Sequence, residues 1–148
     1  MTDNLPALLI AAASGVLMAW QGTFNAVLGK RIGLLETTFV VHITGLLLVS
    51  LLLFVLRLGS GRLSQLFAAP WYTLLGGVLG VGIVYLVALS IPRVGVAPAT
   101  TAIILGQVFT AGLIDHFGFC GVDKLPFSWC RIVGTLLMAL GAYFLLKK

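Results

Sequence analysis

Residues 34–56 read LLETTFVVHITGLLLVSLLLFVL and carry one charged side chain, Glu36. The hydrocarbon core of a bilayer is crossed by roughly 20 helical residues. Glu36 falls in the first turn of such a helix, where exposed backbone N–H groups favour a carboxylate. The stretch is therefore predicted to be a transmembrane helix.

The composition of the whole chain agrees with a membrane protein. Its 148 residues are 60% hydrophobic and 9% charged, with a mean hydropathy of +1.15, which leaves too little polar surface to cover a soluble globule. We predict an all-α integral membrane protein: a five-transmembrane-helix bundle that forms one domain over residues 1–148. The predicted spans are about 5–28, 34–56, 71–91, 97–114 and 129–146.

The first apolar run is predicted to be a membrane helix and not a cleaved signal peptide. It lacks basic residues ahead of it and is too long for the hydrophobic region of a signal.

The net charge of +5 reflects basic residues that flank the spans, where they set topology and meet anionic lipid head groups. We therefore expect the lipid bilayer, and no nucleic acid, as the partner of these charges. With five spans, one membrane face carries Arg57, Arg62, Lys124 and Arg131, and the other carries Lys30, Arg31, Arg93, Lys147 and Lys148. Four basic residues against five give almost no bias, so a chain of this kind can insert in both orientations.

Polar side chains inside the spans are the candidates for function. Gln21 and Asn25 are four residues apart and share one stripe of a helix. Gln21, His42 and Tyr85 each lie roughly 4 to 6 Å from the centre of their span, toward the same membrane face. Two interpretations stay open: a structural hydrogen-bond network, or a substrate cavity. The candidates for lining such a cavity are Gln21, Asn25, His42, Tyr85 and Gln107.

His42 itself has two interpretations. Imidazole changes charge near neutral pH and suits a proton relay, whereas a single histidine on a packed helix also serves as a structural hydrogen-bonding group.

The polar loop after the fourth span reads IDHFGFCGVDKLPFSWCR. Asp115 lies at the end of the fourth span and Arg131 at the start of the fifth, so opposite charges lie on the same membrane face. We predict an ion pair or shared hydrogen-bond network that closes the hairpin, with His116 as a further structural polar residue.

No catalytic or metal-binding pattern is present in the sequence. His116, Cys120, Asp123 and Cys130 do not have the usual spacing of zinc ligands, and the two cysteines leave a disulfide open. Without a nucleophile triad, phosphate loop or carboxylate pair, we expect neither an enzyme nor a cofactor or metal.

Four segments together resemble the YdcZ-type branch of the drug/metabolite transporter superfamily. They are WQGTFNAVLGKRIG at 20–33, IPRVG at 91–95, GQVFTAGLIDHFG at 106–118 and RIVGTLLMALGAYFLLKK at 131–148. That branch is similar to the small multidrug resistance proteins and to one half of the EamA exporters. The positions that match its motif are Gln21, Asn25, Gln107, Asp115, His116 and Gly118.

The resemblance implies a multi-pass protein of the inner (plasma) membrane that transports a small metabolite or drug-like solute. Its working unit would be two copies in opposite orientations, or this chain with an oppositely oriented paralogue. The glutamate in the first helix of small multidrug exporters has no counterpart, since that helix offers Gln21 and Asn25. Cation export by a shared carboxylate pair is therefore not expected. The alternative is a non-transporting membrane module that assembles with or regulates another membrane protein.

Overall fold

The computed structural model of the chain describes residues 4–126 and 128–147. Within these residues there are five long helices and no strand. All five are long and apolar enough to cross a membrane, which confirms the predicted fold class. The helices are α1 (Leu5–Ile32), α2 (Leu34–Ser50), α3 (Leu75–Val94), α4 (Val96–Phe117) and α5 (Trp129–Leu146).

Shorter turns extend or connect these helices. A π-helical turn, Leu51–Val55, continues α2, and a 3-10 turn, Trp71–Leu74, leads into α3. Further 3-10 turns are Leu63–Ala68, in the loop after α2, and Phe119–Gly121, after α4.

Two connections between helices are shorter than predicted. The sequence suggested loops at 29–33 and 92–95, but α1 continues through Ile32 and α3 through Val94. Gly33 separates α1 from α2, and Gly95 separates α3 from α4. Gly33 has φ 102° and Gly95 has φ 97°, a backbone region that side-chain-bearing residues rarely adopt. Lys30 and Arg93 therefore lie in the last turns of helices and not in loops.

The chain divides into two compact units, one up to Arg93 and one from Val94. A single transmembrane domain remains a prediction.

In the first unit, Gly22 of α1 packs against α3, where an added Cβ would lie 2.9 Å from Cγ1 of Val87. Gly15 and Gly22 are seven residues apart and share a face of α1, and this face meets α3 at Gly22. No described atom lies within 4 Å of a Cβ at Gly15.

Few of the glycines in α3 are in contact with another helix. A Cβ at Gly80 would lie 3.6 Å from Nε2 of His42 on α2. At Gly76, Gly77 and Gly82, none of the described residues comes within 4 Å. The glycines of this run therefore provide one close approach, and most of them leave an open helix surface.

Buried threonines mark the start of α2. Thr37 and Thr38 are 0% and 2% exposed. Their hydroxyl groups donate to the carbonyl oxygens of Gly33 and Leu34, each at 2.8 Å. Hydroxyls that are satisfied within their own helix can be buried at an α1–α2 interface without an interhelical partner.

The second unit is a hairpin of α4 and α5. Gly118 ends α4 in the left-handed region, with φ 67° and ψ 38°, and its N–H donates to Ile114 at 2.8 Å. Ser128 caps α5, since its hydroxyl oxygen accepts from the N–H of Arg131 at 3.3 Å. Local hydrogen bonds therefore fix both ends of the loop between α4 and α5.

Most large apolar side chains of the described residues point outward. Among those residues, only six hydrophobic ones are buried: Ala26, Val84, Ala88, Ile91, Ala99 and Ala142. In water this surface would drive aggregation, whereas in lipid it is the surface that a spanning helix presents.

Candidate functional site

The side-chain amides Gln21 and Asn25 of α1 are among the residues that line a cleft between α1 and α2. Its volume is about 600 Å³, which is in the range of about 300 to 1,000 Å³ typical of small-molecule sites. We call it the amide cleft. Its lining residues are Leu17, Met18, Trp20, Gln21, Phe24 and Asn25 of α1, with Val41, Thr44, Gly45 and Leu48 of α2.

Asn25 is the buried amide of this cleft. It is 5% exposed, and no other described residue forms a hydrogen bond with its side chain. Every fully buried side-chain nitrogen or oxygen in the described part of the chain has a hydrogen-bond partner. The unpaired amide of Asn25 therefore keeps a small accessible area, and Asn25 is among the residues that line the cleft. An amide placed in this way can both donate to and accept from a bound molecule.

Gln21 lies one turn before Asn25 and is exposed at the cleft. Beside it, the rings of Trp20 and Phe24 lie 5.5 Å apart between centroids, and both are more than half exposed. An aromatic pair next to two amides forms an amphipathic surface, suited to a molecule with an apolar body and a few polar groups.

On the α2 side, Thr44 contributes the polar atom. Its hydroxyl donates to the carbonyl of Val41 at 3.0 Å, so its proton is engaged within the helix and its oxygen can still accept. We did not single out Thr44, Val41, Gly45 and Leu48 as site residues from the sequence. Their spacing along one helix face was the available signal, but an apolar stripe with threonine and glycine occurs in many packed membrane helices.

His42 is placed differently from Gln21. Its Nδ1 lies 2.7 Å from the carbonyl oxygen of Thr38, one turn earlier in α2. Its Nε2 faces Gly80 of α3. The structure therefore places the half-buried imidazole between α2 and α3, and it is not among the residues that line the amide cleft. Both interpretations of His42, proton relay and structural hydrogen-bonding group, stay open.

Tyr85 and Gln107 complete the predicted set. Tyr85 is half-buried on α3 and does not belong to the described lining of the amide cleft. Gln107 is exposed on α4, in the second unit. The structure thus brings Gln21 and Asn25 together, and the roles of His42, Tyr85 and Gln107 in a cavity remain predictions.

The predicted ion pair of the second unit is present. Nη1 of Arg131 lies 3.4 Å from Oδ2 of Asp115 and 3.4 Å from the carbonyl oxygen of Leu125. The N–H of Leu125 also donates to the carbonyl of Asp115 at 2.8 Å. His116, the next residue, packs its ring against Phe117 with centroids 4.9 Å apart. These contacts tie the loop to both helices.

Cys120 and Cys130 are both free and exposed, so no disulfide joins them. Among the described residues, no group of three or more histidine, cysteine or acidic side chains could hold a metal ion.

The five long apolar helices define a multi-pass membrane protein, and the amide cleft is an open groove on the surface of its first two helices. The model of the family described as "Putative inner membrane exporter, YdcZ" matches residues 6–144. This chain belongs to that family and is therefore a transport protein of the inner membrane. Comparisons with curated proteins and with solved structures gave no match.

Proposed function

We propose that this chain exports a small, uncharged, largely apolar solute, which it binds in the amide cleft. The main support for this proposal is the position of the cleft near the centres of the two spans. Its α1 residues lie within roughly 10 Å of the centre of Leu5–Ile32, and its α2 residues within roughly 5 Å of the centre of Leu34–Val55. Transporters of larger size hold their substrates at the bilayer midplane in the same way.

The chemistry of the lining selects the solute class. None of the residues that line the cleft is charged, and two of them are amides. An organic cation would enter this cleft without a carboxylate to neutralise it, and burying an unpaired charge is costly. A neutral molecule with an aromatic or aliphatic body avoids that cost, and the amides of Gln21 and Asn25 can hydrogen-bond its polar groups.

We further propose that two copies in opposite orientation, or this chain with an oppositely oriented paralogue, form the working unit. Two observations support this arrangement. The basic residues divide four against five between the two membrane faces, which gives no fixed orientation. The side chain of Gln21 is exposed in the middle of a membrane helix and forms no hydrogen bond to another described residue. A second copy would remove that exposure, because lipid offers an amide no partner.

Transport by purified protein in liposomes tests the proposal. We expect the protein to move a neutral fluorescent amphiphile faster than protein-free liposomes do, and to leave ethidium, a permanent cation, unaffected. Transport of ethidium that equals transport of the neutral probe would contradict the proposed solute class. If neither probe moves, and the chain is recovered from its native membrane only with a different membrane protein, the non-transporting module becomes the better interpretation.

A further inference from the structure

A second pocket lies in the first unit, where the ends of α1 and α3 meet the start of α2. Its volume is about 240 Å³, room for roughly eight water molecules at about 30 Å³ each. We call it the cationic pocket. It is lined by the small residues Ala26, Gly29 and Ala88, by the apolar Leu34, Leu89 and Pro92, and by the cations Lys30 and Arg93.

The two cations of this pocket have no carboxylate partner. Among the described residues the only ion pair joins Arg131 to Asp115, so neither Lys30 nor Arg93 is paired. The only acidic residue of the neighbouring helix start is Glu36, whose carboxylate lies against Gly33 and is not part of the pocket lining. Lys30 and Arg93, both exposed and both unpaired, therefore line the same open pocket.

The depth of the pocket matches that of lipid phosphates. Lys30 is roughly 17 Å from the centre of Leu5–Ile32, and Arg93 is roughly 16 Å from the centre of Trp71–Val94. The hydrocarbon core ends about 15 Å from the midplane. The two cations thus lie just outside the hydrocarbon, at the level of the head groups, while Leu34 and Leu89 form an apolar wall of the same pocket.

We propose that the cationic pocket binds a phosphate group, supplied by the head group of an anionic phospholipid. Lys30 and Arg93 donate to the phosphate oxygens, and the wall of Leu34 and Leu89 contacts the glycerol and upper acyl chain. This site is separate from the amide cleft and does not depend on the proposed solute.

Thermal unfolding of the purified full chain in a neutral detergent tests the site, because a ligand that binds the folded state raises the unfolding midpoint. Phosphatidylglycerol is titrated, with phosphatidylcholine as the uncharged control. We expect Lys30→Gln and Arg93→Gln each to weaken phosphatidylglycerol binding about tenfold. Arg31→Gln is the matched control: Arg31 neighbours Lys30, is exposed, and does not line the pocket. It should leave the titration unchanged.

A variant without any change of charge separates the pocket from general surface electrostatics. Leu89→Trp fills the cavity and leaves both cations in place, so it should weaken binding as much as Lys30→Gln does. An equal loss in Arg31→Gln, or an equal midpoint rise with phosphatidylcholine, would overturn the proposal. If inorganic phosphate or glycerol 3-phosphate reproduces the rise, the phosphate site is supported and its natural ligand is a soluble phosphate instead of a lipid.

Discussion

Nη1 of Arg131 lies 3.4 Å from Oδ2 of Asp115, so the start of α5 is paired with the end of α4. The two side chains are 45% and 36% exposed, and solvent therefore screens their attraction. The pair fixes the geometry of the loop more than it stabilises the fold, because Arg131 also reaches the carbonyl of Leu125.

The first prediction concerns the size of this effect. Asp115→Asn should lower the free energy of unfolding by about 1 kcal/mol or less. The measurement is thermal or denaturant unfolding in detergent. In a double-mutant cycle with Arg131→Gln, the coupling energy should be of the same size. A coupling energy of several kcal/mol would mean that the pair is buried in the working assembly.

The sequence predicts the fold well because hydropathy and helix length are strong signals in a membrane protein. The five spans and the Asp115–Arg131 pair followed from composition and charge position. Helix ends were harder to place. Lys30 and Arg93 read as loop residues, whereas both lie in helices that end at a single glycine with positive φ.

The site was predicted less completely than the fold. The four-residue spacing puts Gln21 and Asn25 on one stripe of α1, and both line the amide cleft. The position of a residue along its span does not, however, determine the direction in which its side chain points around the helix axis. His42 shares the predicted depth of Gln21, yet its ring lies toward Gly80 of α3. Which neighbour a polar side chain meets depends on tertiary packing, which one sequence does not encode locally.

The second prediction concerns the amides of the cleft. Gln21→Leu and Asn25→Leu should each lower the rate of transport of the neutral probe roughly three- to tenfold, the effect of losing one neutral hydrogen bond. Folding stability should change by less than about 1 kcal/mol, as is typical of polar contacts between membrane helices. Initial rates in liposomes and unfolding midpoints in detergent measure the two effects.

Gln65→Leu is the matched control for the amide variants, because Gln65 is exposed in the 3-10 turn Leu63–Ala68, outside the predicted spans. It carries the same chemical change and should transport normally. Unchanged transport in Gln21→Leu and Asn25→Leu would remove the amide cleft as the solute site.

The third prediction concerns the contact of α1 with α3. Gly22→Leu should destabilise the fold by about 1 to 3 kcal/mol, because a Cβ there lies 2.9 Å from Val87 and 3.1 Å from Ile91. Gly15→Leu, on the same helix, meets no described atom within 4 Å of its Cβ and should be nearly neutral. Unfolding midpoints of the two variants in one detergent provide the comparison, and equal midpoints would contradict the α1–α3 packing.

The last prediction concerns the orientation of the two proposed copies, and it follows from the position of two exposed residues on α1. Ala13 and Phe24 are eleven residues apart, about three helical turns, and so share a face. They lie at equal distances, roughly 8 Å, on either side of the centre of Leu5–Ile32. A two-fold axis in the membrane plane would therefore bring Ala13 of one copy to the depth of Phe24 of the other. In a parallel pair, each residue would instead lie at the depth of its own counterpart.

Disulfide cross-linking separates these arrangements, because a disulfide forms only when the two Cα atoms approach to within about 7 Å. Cys120 and Cys130 are free and exposed, so both are first replaced by serine. Ala13→Cys and Phe24→Cys are then expressed together on chains with different tags and treated with an oxidant in the membrane. We expect the mixed dimer, and little dimer from either single variant alone. Efficient cross-linking of each single variant with itself, without the mixed product, would show that the copies are parallel and would refute the antiparallel working unit.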